Sequence, residues 1–273
     1  MWPRLMMALV GAFSILLMSV FFLVKFLENT SVFFPGKGIS ITPKQMGLSY
    51  EDLYLTTSDG IKINAWLVKS SNQASTIIFA HGNAGTMGER LMKIKFWHDL
   101  GLNILIFDYR GYGRSQGHPT ESGIYLDAQA AYDYLQTRSD IDHNRIIAYG
   151  ASLGGTVMVD LAAKRKLAAL MVESSLTSAK DMAHRIYPFL PSFMMSIKFD
   201  SFSKIDKITV PKLFLHSKED HTVPFSMGQA LYEKAASPKK FLLIYGGHND
   251  GGSIHDPRVY EGLTSFLREF SLL

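Results

Sequence analysis

A serine attacks a carbonyl only when its hydroxyl stands clear of its own backbone, and Gly150-Ala151-Ser152-Leu153-Gly154 has the composition for that. The pentapeptide follows a β-branched run, Arg145-Ile146-Ile147-Ala148-Tyr149, and opens a helix-like stretch from Thr156 to Lys164. A serine with glycines two residues to either side, at a strand-to-helix turn, is the nucleophile-elbow pattern. Taken alone it also fits an ordinary glycine-bounded connection, so its partners decide. A serine nucleophile needs a base to take its proton and an acid to orient that base. Asp220 follows the apolar run that ends at His216, and His248 follows the run that ends at Tyr245, within Gly246-Gly247-His248-Asn249-Asp250. His248 then serves as general base, and Asp220 fixes its tautomer and stabilises its charged form. Singly, Asp220 reads equally as a helix N-terminal carboxylate ahead of Val223-Pro224, and His248 as a turn histidine. Together, and in the order Ser152, Asp220, His248, they read as a triad.

The rivals for these roles are few. Asp206 precedes the relevant strand, and Asp250 lies only two residues from the base. His255 shares the loop of His248 but sits near the start of the last helix, as a cap neighbour would. His98, His118, His143, His184, His216 and His221 read as surface or packing residues. An acyl-transfer intermediate also needs two N–H donors for its oxyanion, one from the residue after the nucleophile and one from an earlier loop. These are the backbone N–H groups of Leu153 and, within His81-Gly82-Asn83-Ala84-Gly85, of Asn83. The glycines of that loop could instead cradle a phosphate, but the Walker lysine ending and the dinucleotide glycine spacing are both missing. The charged stretch Asp108-Tyr109-Arg110-Gly111-Tyr112-Gly113-Arg114-Ser115 reads as a loop brace with Asp108 and Arg110 paired.

The elements that must position these groups follow from hydrophobic periodicity. Alternating runs Tyr50 to Thr56 and Ile61 to Val68, joined by Ser58-Asp59-Gly60, predict a hairpin. Compact apolar runs then recur at Thr76 to Ala80, Asn103 to Phe107, Arg145 to Tyr149, Ala168 to Val172, Lys212 to His216 and Phe241 to Tyr245. Helical segments separate them at Met87 to Leu100, Ser122 to Thr137, Ser152 to Lys164, Ser226 to Ala236 and Pro257 to Phe270. Strands buried on both faces and alternating with helices predict an α/β fold with a mostly parallel central sheet flanked by helices. Function in such sheets gathers in loops at the carboxyl ends of the strands, where Ser152, Asp220 and His248 all fall.

The chain as a whole narrows the classes further. Its 273 residues carry a net charge of only +4, scattered rather than clustered, which argues against a nucleic-acid partner. With no cysteine, nucleophilic chemistry must come from oxygen, and Cys-ligated zinc is excluded. Leu5 to Val24 runs about 20 residues without a charge, enough to cross a bilayer as a helix. The run is longer than a signal-peptide core and no small-residue cleavage site follows it, so it reads as an uncleaved anchor. Residues 1–27 are expected to form the anchor and 28–273 one catalytic domain. Arg4 precedes the span, whereas Lys25 beyond it is offset by Glu28, so the positive-inside rule leans toward an exported catalytic domain.

These residues resemble the α/β-hydrolase superfamily, and within it the membrane-anchored branch of Bem46-like and ABHD13-type serine hydrolases. The resemblance rests on His81 to Gly85, Asp108 to Ser115, Ser152-Leu153-Gly154-Gly155, Tyr187-Pro188-Phe189-Leu190-Pro191, Asp220 with Val223-Pro224, and Gly247-His248-Asn249-Asp250. It covers nearly the whole chain and implies an α/β-hydrolase fold with a short lid and the same triad. Ala151 and Ser217 depart from that branch, where a larger polar residue and a glycine are common. Between Ser174 and Lys204 a loop-rich apolar stretch, with Met182, Ile186, Phe189, Phe193 and Met194 among its residues, is the expected lid, at about 176–204. It could equally pack flat on the sheet.

The reading that results is a membrane-anchored serine hydrolase cleaving carboxylic esters or thioesters of small-molecule or lipid acyl substrates. No metal or organic cofactor is expected. The alternatives are a serine peptidase of the aminopeptidase-like kind and a non-catalytic, membrane-tethered interaction protein. Epoxide hydrolases and dehalogenases need an aspartate where Ser152 stands.

Overall fold

The computed structural model describes residues 2–189, 191, 195–249 and 256–273. Its strands, in chain order, are β1 (Phe34–Pro35), β2 (Glu51–Thr56), β3 (Lys62–Val68), β4 (Thr76–Ala80), β5 (Ala84–Gly85), β6 (Asn103–Phe107), β7 (Ile146–Ala151), β8 (Ala169–Glu173), β9 (Lys212–Ser217) and β10 (Lys239–Ile244). Eight of them form one sheet in the order β10-β9-β8-β7-β4-β6-β3-β2. The expected hairpin is present: β2 and β3 pair antiparallel from Glu51 opposite Leu67 to Thr56 opposite Lys62. β3 is also antiparallel to β6, and every pairing from β6 across to β10 is parallel. The fold is that of an α/β hydrolase.

The period of two along each buried strand explains the layers. Ile78 and Ala80, Leu105 and Phe107, and Ile146 and Ala148 belong to one apolar cluster. Their neighbours Ile77 and Phe79, Ile104 and Ile106, and Ile147 and Tyr149 belong to the other, across the sheet. Helices α3 (Glu121–Gln136), α4 (Leu153–Ala162) and α6 (Phe225–Lys234) cover the first face; α2 (Leu91–Asp99) and α7 (Pro257–Glu269) cover the second. Each fully buried Ile or Phe contributes on the order of 1.5–3 kcal/mol of hydrophobic stabilisation.

Two segments behave differently. Helix α1 (Trp2–Ser31) is 30 residues long, and its part from Trp2 to Glu28, within which an 18-residue window reaches a mean hydropathy of 2.6, is long and apolar enough to cross a membrane. The side chains described up to Leu23 are nearly all exposed, whereas Val24 and Glu28 are buried against the rest of the molecule. After α1, β1 pairs in parallel with β5, placing Phe34 opposite Ala84 and Pro35 opposite Gly85.

Within the expected lid, where the sequence suggested loop, a helix forms: α5 (Ala179–Ile186). Ser178 caps it, its Oγ accepting the Asp181 N–H at 3.0 Å. Met182, Met195 and Ile197 pack on the core, while Phe189 is almost fully exposed. Leu190, Phe193 and Met194 lie outside the described residues.

Candidate active site

Ser152 sits between the end of β7 and the start of α4 with φ 55° and ψ −120°, a conformation that non-glycine residues rarely adopt. Its backbone is held there from both sides. The Ser152 N–H donates to the Glu173 carbonyl at 2.8 Å, and its own carbonyl accepts from Ser175 Oγ at 2.8 Å and from the Gly155 N–H at 3.0 Å. The flanking glycines are required by close approach. A Cβ on Gly150 would lie 2.1 Å from the Gly154 carbonyl oxygen, and one on Gly154 only 1.9 Å from that of Ala80. Gly155 is equally constrained, since a Cβ there would lie 2.4 Å from Ser175 Oγ.

The sheet order brings the other groups to this point. β7, β9 and β10 end on the same edge, so the loops after them converge. His248 Nε2 lies 2.9 Å from Ser152 Oγ, and His248 Nδ1 lies 2.7 Å from Asp220 Oδ2. A carboxylate facing Nδ1 makes that nitrogen the donor and leaves Nε2 to accept the serine hydroxyl. The Asp220 side chain is fully buried, and its Oδ1 accepts the Thr222 and Val223 N–H groups at 2.9 and 2.8 Å. Burial alone would raise its carboxyl, but hydrogen bonding to His216, His248 and the Val223 N–H outweighs burial and holds it well below the ordinary carboxylate range.

His216, which sequence reasoning placed among surface or packing residues, is buried with Nε2 3.5 Å from Asp220 Oδ2 and 2.9 Å from the Val223 carbonyl. A carbonyl can only accept, so Nε2 carries the proton and turns a positive edge toward Asp220. The ring stands directly against Gly228, where a Cβ would come within 2.1 Å of Nδ1. It is the penultimate residue of β9, and nothing local in the sequence marks it as a partner of Asp220. Of the rival groups, Asp206 pairs with Lys234 at 2.9 Å at the surface, and Asp250 and His255 lie outside the described residues.

Asn83 and Leu153 flank Ser152 on the wall of one cavity. Leu153 opens α4, where its own N–H has no partner within the helix. Asn83 is turned by its own bonds: its carbonyl accepts the Phe34 N–H at 2.9 Å and the Tyr112 hydroxyl at 2.7 Å, and its Nδ2 donates to the Val32 carbonyl at 3.2 Å.

The loop brace differs from expectation. Asp108 faces His81 Nε2 at 3.2 Å and accepts the Met87 N–H at 2.7 Å. Arg110 instead reaches Asp59 at 2.7 Å and Asp127 at 2.9 Å. Neighbouring loop residues point apart, so the nearest opposite charges in sequence are not the partners in space.

The cavity holding Ser152 encloses about 330 Å³. Leu176, Met182, Ile186, Met195, Phe199 and Val223 make its lining largely apolar. Its far wall is the end of α1, through Val24, Leu27, Glu28 and Ser31.

Residues 71–203 match the family model described as serine aminopeptidase, S33, a span that contains Asn83, Ser152 and Leu153 but stops before Asp220 and His248. The chain is 39% identical to alpha/beta hydrolase domain-containing protein WAV2 of Arabidopsis thaliana over 74% of its own length and 73% of that protein. It is 34% identical to protein bem46 of Schizosaccharomyces pombe over 73% of this chain and 70% of that one. Among solved structures, the esterase Pf2001 of Pyrococcus furiosus superposes with a TM-score of 0.73 over 87% of this chain and 99% of its own, at 22% identity. On sequence identity and architecture together, the chain belongs to the α/β-hydrolase family.

Proposed function

We propose that the protein is a membrane-anchored serine hydrolase that cleaves carboxylic ester or thioester bonds through an acyl-enzyme. The observation that carries this reading is the unbroken chain Asp220 to His248 to Ser152, at 2.7 and 2.9 Å, ending at the strained serine beside an apolar cavity. Ser152 Oγ attacks the acyl carbon while its proton passes to His248 Nε2. The Leu153 and Asn83 N–H groups hold the resulting oxyanion, each such donor being worth about 3–4 kcal/mol in comparable sites. Collapse expels the alcohol or thiol, which takes the proton from His248. A water then repeats the sequence: its proton goes to His248, its oxygen bonds the acyl carbon, and Ser152 leaves with that proton as the carboxylic acid departs.

The matched family model makes an aminopeptidase the second reading, and one observation weighs against it. Among the described residues lining the cavity, Glu28 is the one carboxylate that could receive a substrate ammonium. It is already engaged by Lys25 at 2.8 Å and by the Ser196 and Ile197 N–H groups at 2.5 and 3.0 Å. Helix α1 supports anchoring by its length and apolar surface, and Arg4 in its first turn, against the Lys25–Glu28 pair near its end, favours an exported catalytic domain.

The test is fluorophosphonate labelling of the full chain in detergent, with turnover of p-nitrophenyl esters and aminoacyl p-nitroanilides. Wild type is expected to label and to favour the esters, and Ser152→Ala and His248→Ala to lose labelling and at least ~10⁴-fold in turnover. A folded wild type that neither labels nor turns over overturns the reading. Preference for the anilides transfers it to the peptidase.

A further inference from the structure

Helix α1 changes character along its length. Up to Leu23 its large apolar side chains stand exposed, Leu16 at 59% and Phe22 at 66%. From Val24 onward it is docked: Val24 is fully buried, and Val24, Leu27, Glu28 and Ser31 face the cavity that contains Ser152. Met182 and Ile186 of the lid helix complete the cavity's other side.

The docking is specific. Glu28 accepts hydrogen bonds from the Ser196 and Ile197 N–H groups and, at 2.9 Å, from Ser196 Oγ, and Lys25 also reaches Ser196 Oγ. These contacts fasten the helix end to the chain segment that returns from the lid. A buried carboxylate held by two backbone donors and a lysine fixes position far better than apolar contact alone.

We propose that the last two turns of α1 are part of the substrate site, forming the wall that sizes its acyl pocket. The substrate class is an ester or thioester whose long acyl chain resides in the bilayer. The chain enters from the bilayer between Leu27 and the lid helix, bringing the carbonyl to Ser152. Leu27 is the sizing residue, because it is only half buried and projects where an acyl tail must lie. Val24, sealed behind it, sets the wall's depth. The exposed Ile186, Tyr187 and Phe189 stand on the same lid and extend the greasy entrance toward the membrane. This inference rests on the acyl-hydrolase reading.

The experiment uses the full chain in lipid nanodiscs and measures turnover of p-nitrophenyl esters from two to sixteen carbons. Leu27→Trp is expected to lower the ratio of long-chain to short-chain turnover at least tenfold, and Leu27→Ala to move the optimum to longer chains. Leu16→Trp, on the exposed part of the same helix, is expected to leave the profile unchanged. If both Leu27 variants scale all chain lengths by one factor, or change none, the inference is overturned while the hydrolase reading stands. Should Leu27→Trp fail to fold, the direction of the Leu27→Ala shift decides alone. A wild type inactive on every ester overturns the hydrolase reading and this inference with it.

Discussion

Two histidine–carboxylate pairs lie close together in this molecule, and they do opposite jobs. His248 meets Asp220 at 2.7 Å, and its remaining nitrogen faces Ser152 beside the cavity. His81 meets Asp108 at 3.2 Å with both side chains fully buried, and its other nitrogen is 2.7 Å from the Gly82 carbonyl. The first pair leaves one nitrogen free to exchange a proton. The second has Nδ1 on a backbone carbonyl and Nε2 buried against Asp108 without a hydrogen bond, so it can act only through the backbone of the loop that carries Asn83. Tyr109 and Tyr112 serve that same end, donating to the His81 and Asn83 carbonyls at 2.6 and 2.7 Å. What distinguishes the candidate catalytic imidazole from the bracing one here is therefore the partner of its second nitrogen, more than burial or charge.

Breaking the first pair should have by far the larger effect. Asp220→Asn keeps the shape but presents a donor to Nδ1, which favours the wrong tautomer of His248. Turnover is expected to fall by about 10⁴-fold with the fold intact, measured as kcat alongside circular dichroism. Breaking the second pair by Asp108→Ala leaves Ser152 and His248 in contact but removes the acceptor of the Met87 N–H and loosens the turn there and the loop beside it. Turnover is expected to fall about tenfold, short of the ~10²–10³ lost with an oxyanion donor itself. Thermal stability should fall by about 1–3 kcal/mol through the unsatisfied buried N–H. Equal losses in the two variants would erase the distinction. The smallest effect is acid sensitivity. The Asp220 carboxyl is held below its ordinary value, so its contribution to stability is complete above the unfolded-state value of about 4 and is lost as pH falls through the folded one. Wild type should lose on the order of 1–3 kcal/mol more than Asp220→Asn between pH 5 and 2, read by urea unfolding at each pH.

Much of this was readable before the structure, for a physical reason. Strands buried on both faces announce themselves as short apolar runs, and β4 and β6 fall where Thr76 to Ala80 and Asn103 to Phe107 were expected. The residues that meet at the site stand at the ends of such runs, so order and position along the chain suggested their convergence. Contacts made across the fold left no such trace. Nothing local marks His216 as the second imidazole beside Asp220, or Glu28 as the clamp for Ser196. Arg110 was assigned to Asp108 by proximity in sequence, yet it reaches Asp59 and Asp127, far along the chain on either side. Helix α5 leaves a different kind of trace: its apolar residues show no clear period beside the prolines of the lid, while Ser178 and Asp181 carry a helix-start signal at the right spacing. The constraints at Gly150, Gly154 and Gly155 lie between, since the elbow pattern named the first two and the packing of Ser175 and Val172 explains the third.

The two-residue pairing of Phe34–Pro35 with Ala84–Gly85 governs where the chain can be cut to obtain a soluble enzyme. A cut after Leu23 removes the exposed hydrophobic stretch and keeps every docked residue. One after Ser31 preserves the pairing but opens the cavity on one side. Cutting after Gly36 also strips away the Phe34 N–H that holds the Asn83 carbonyl, and a protein prepared that way would be trimmed into the wall of the cavity that holds Ser152.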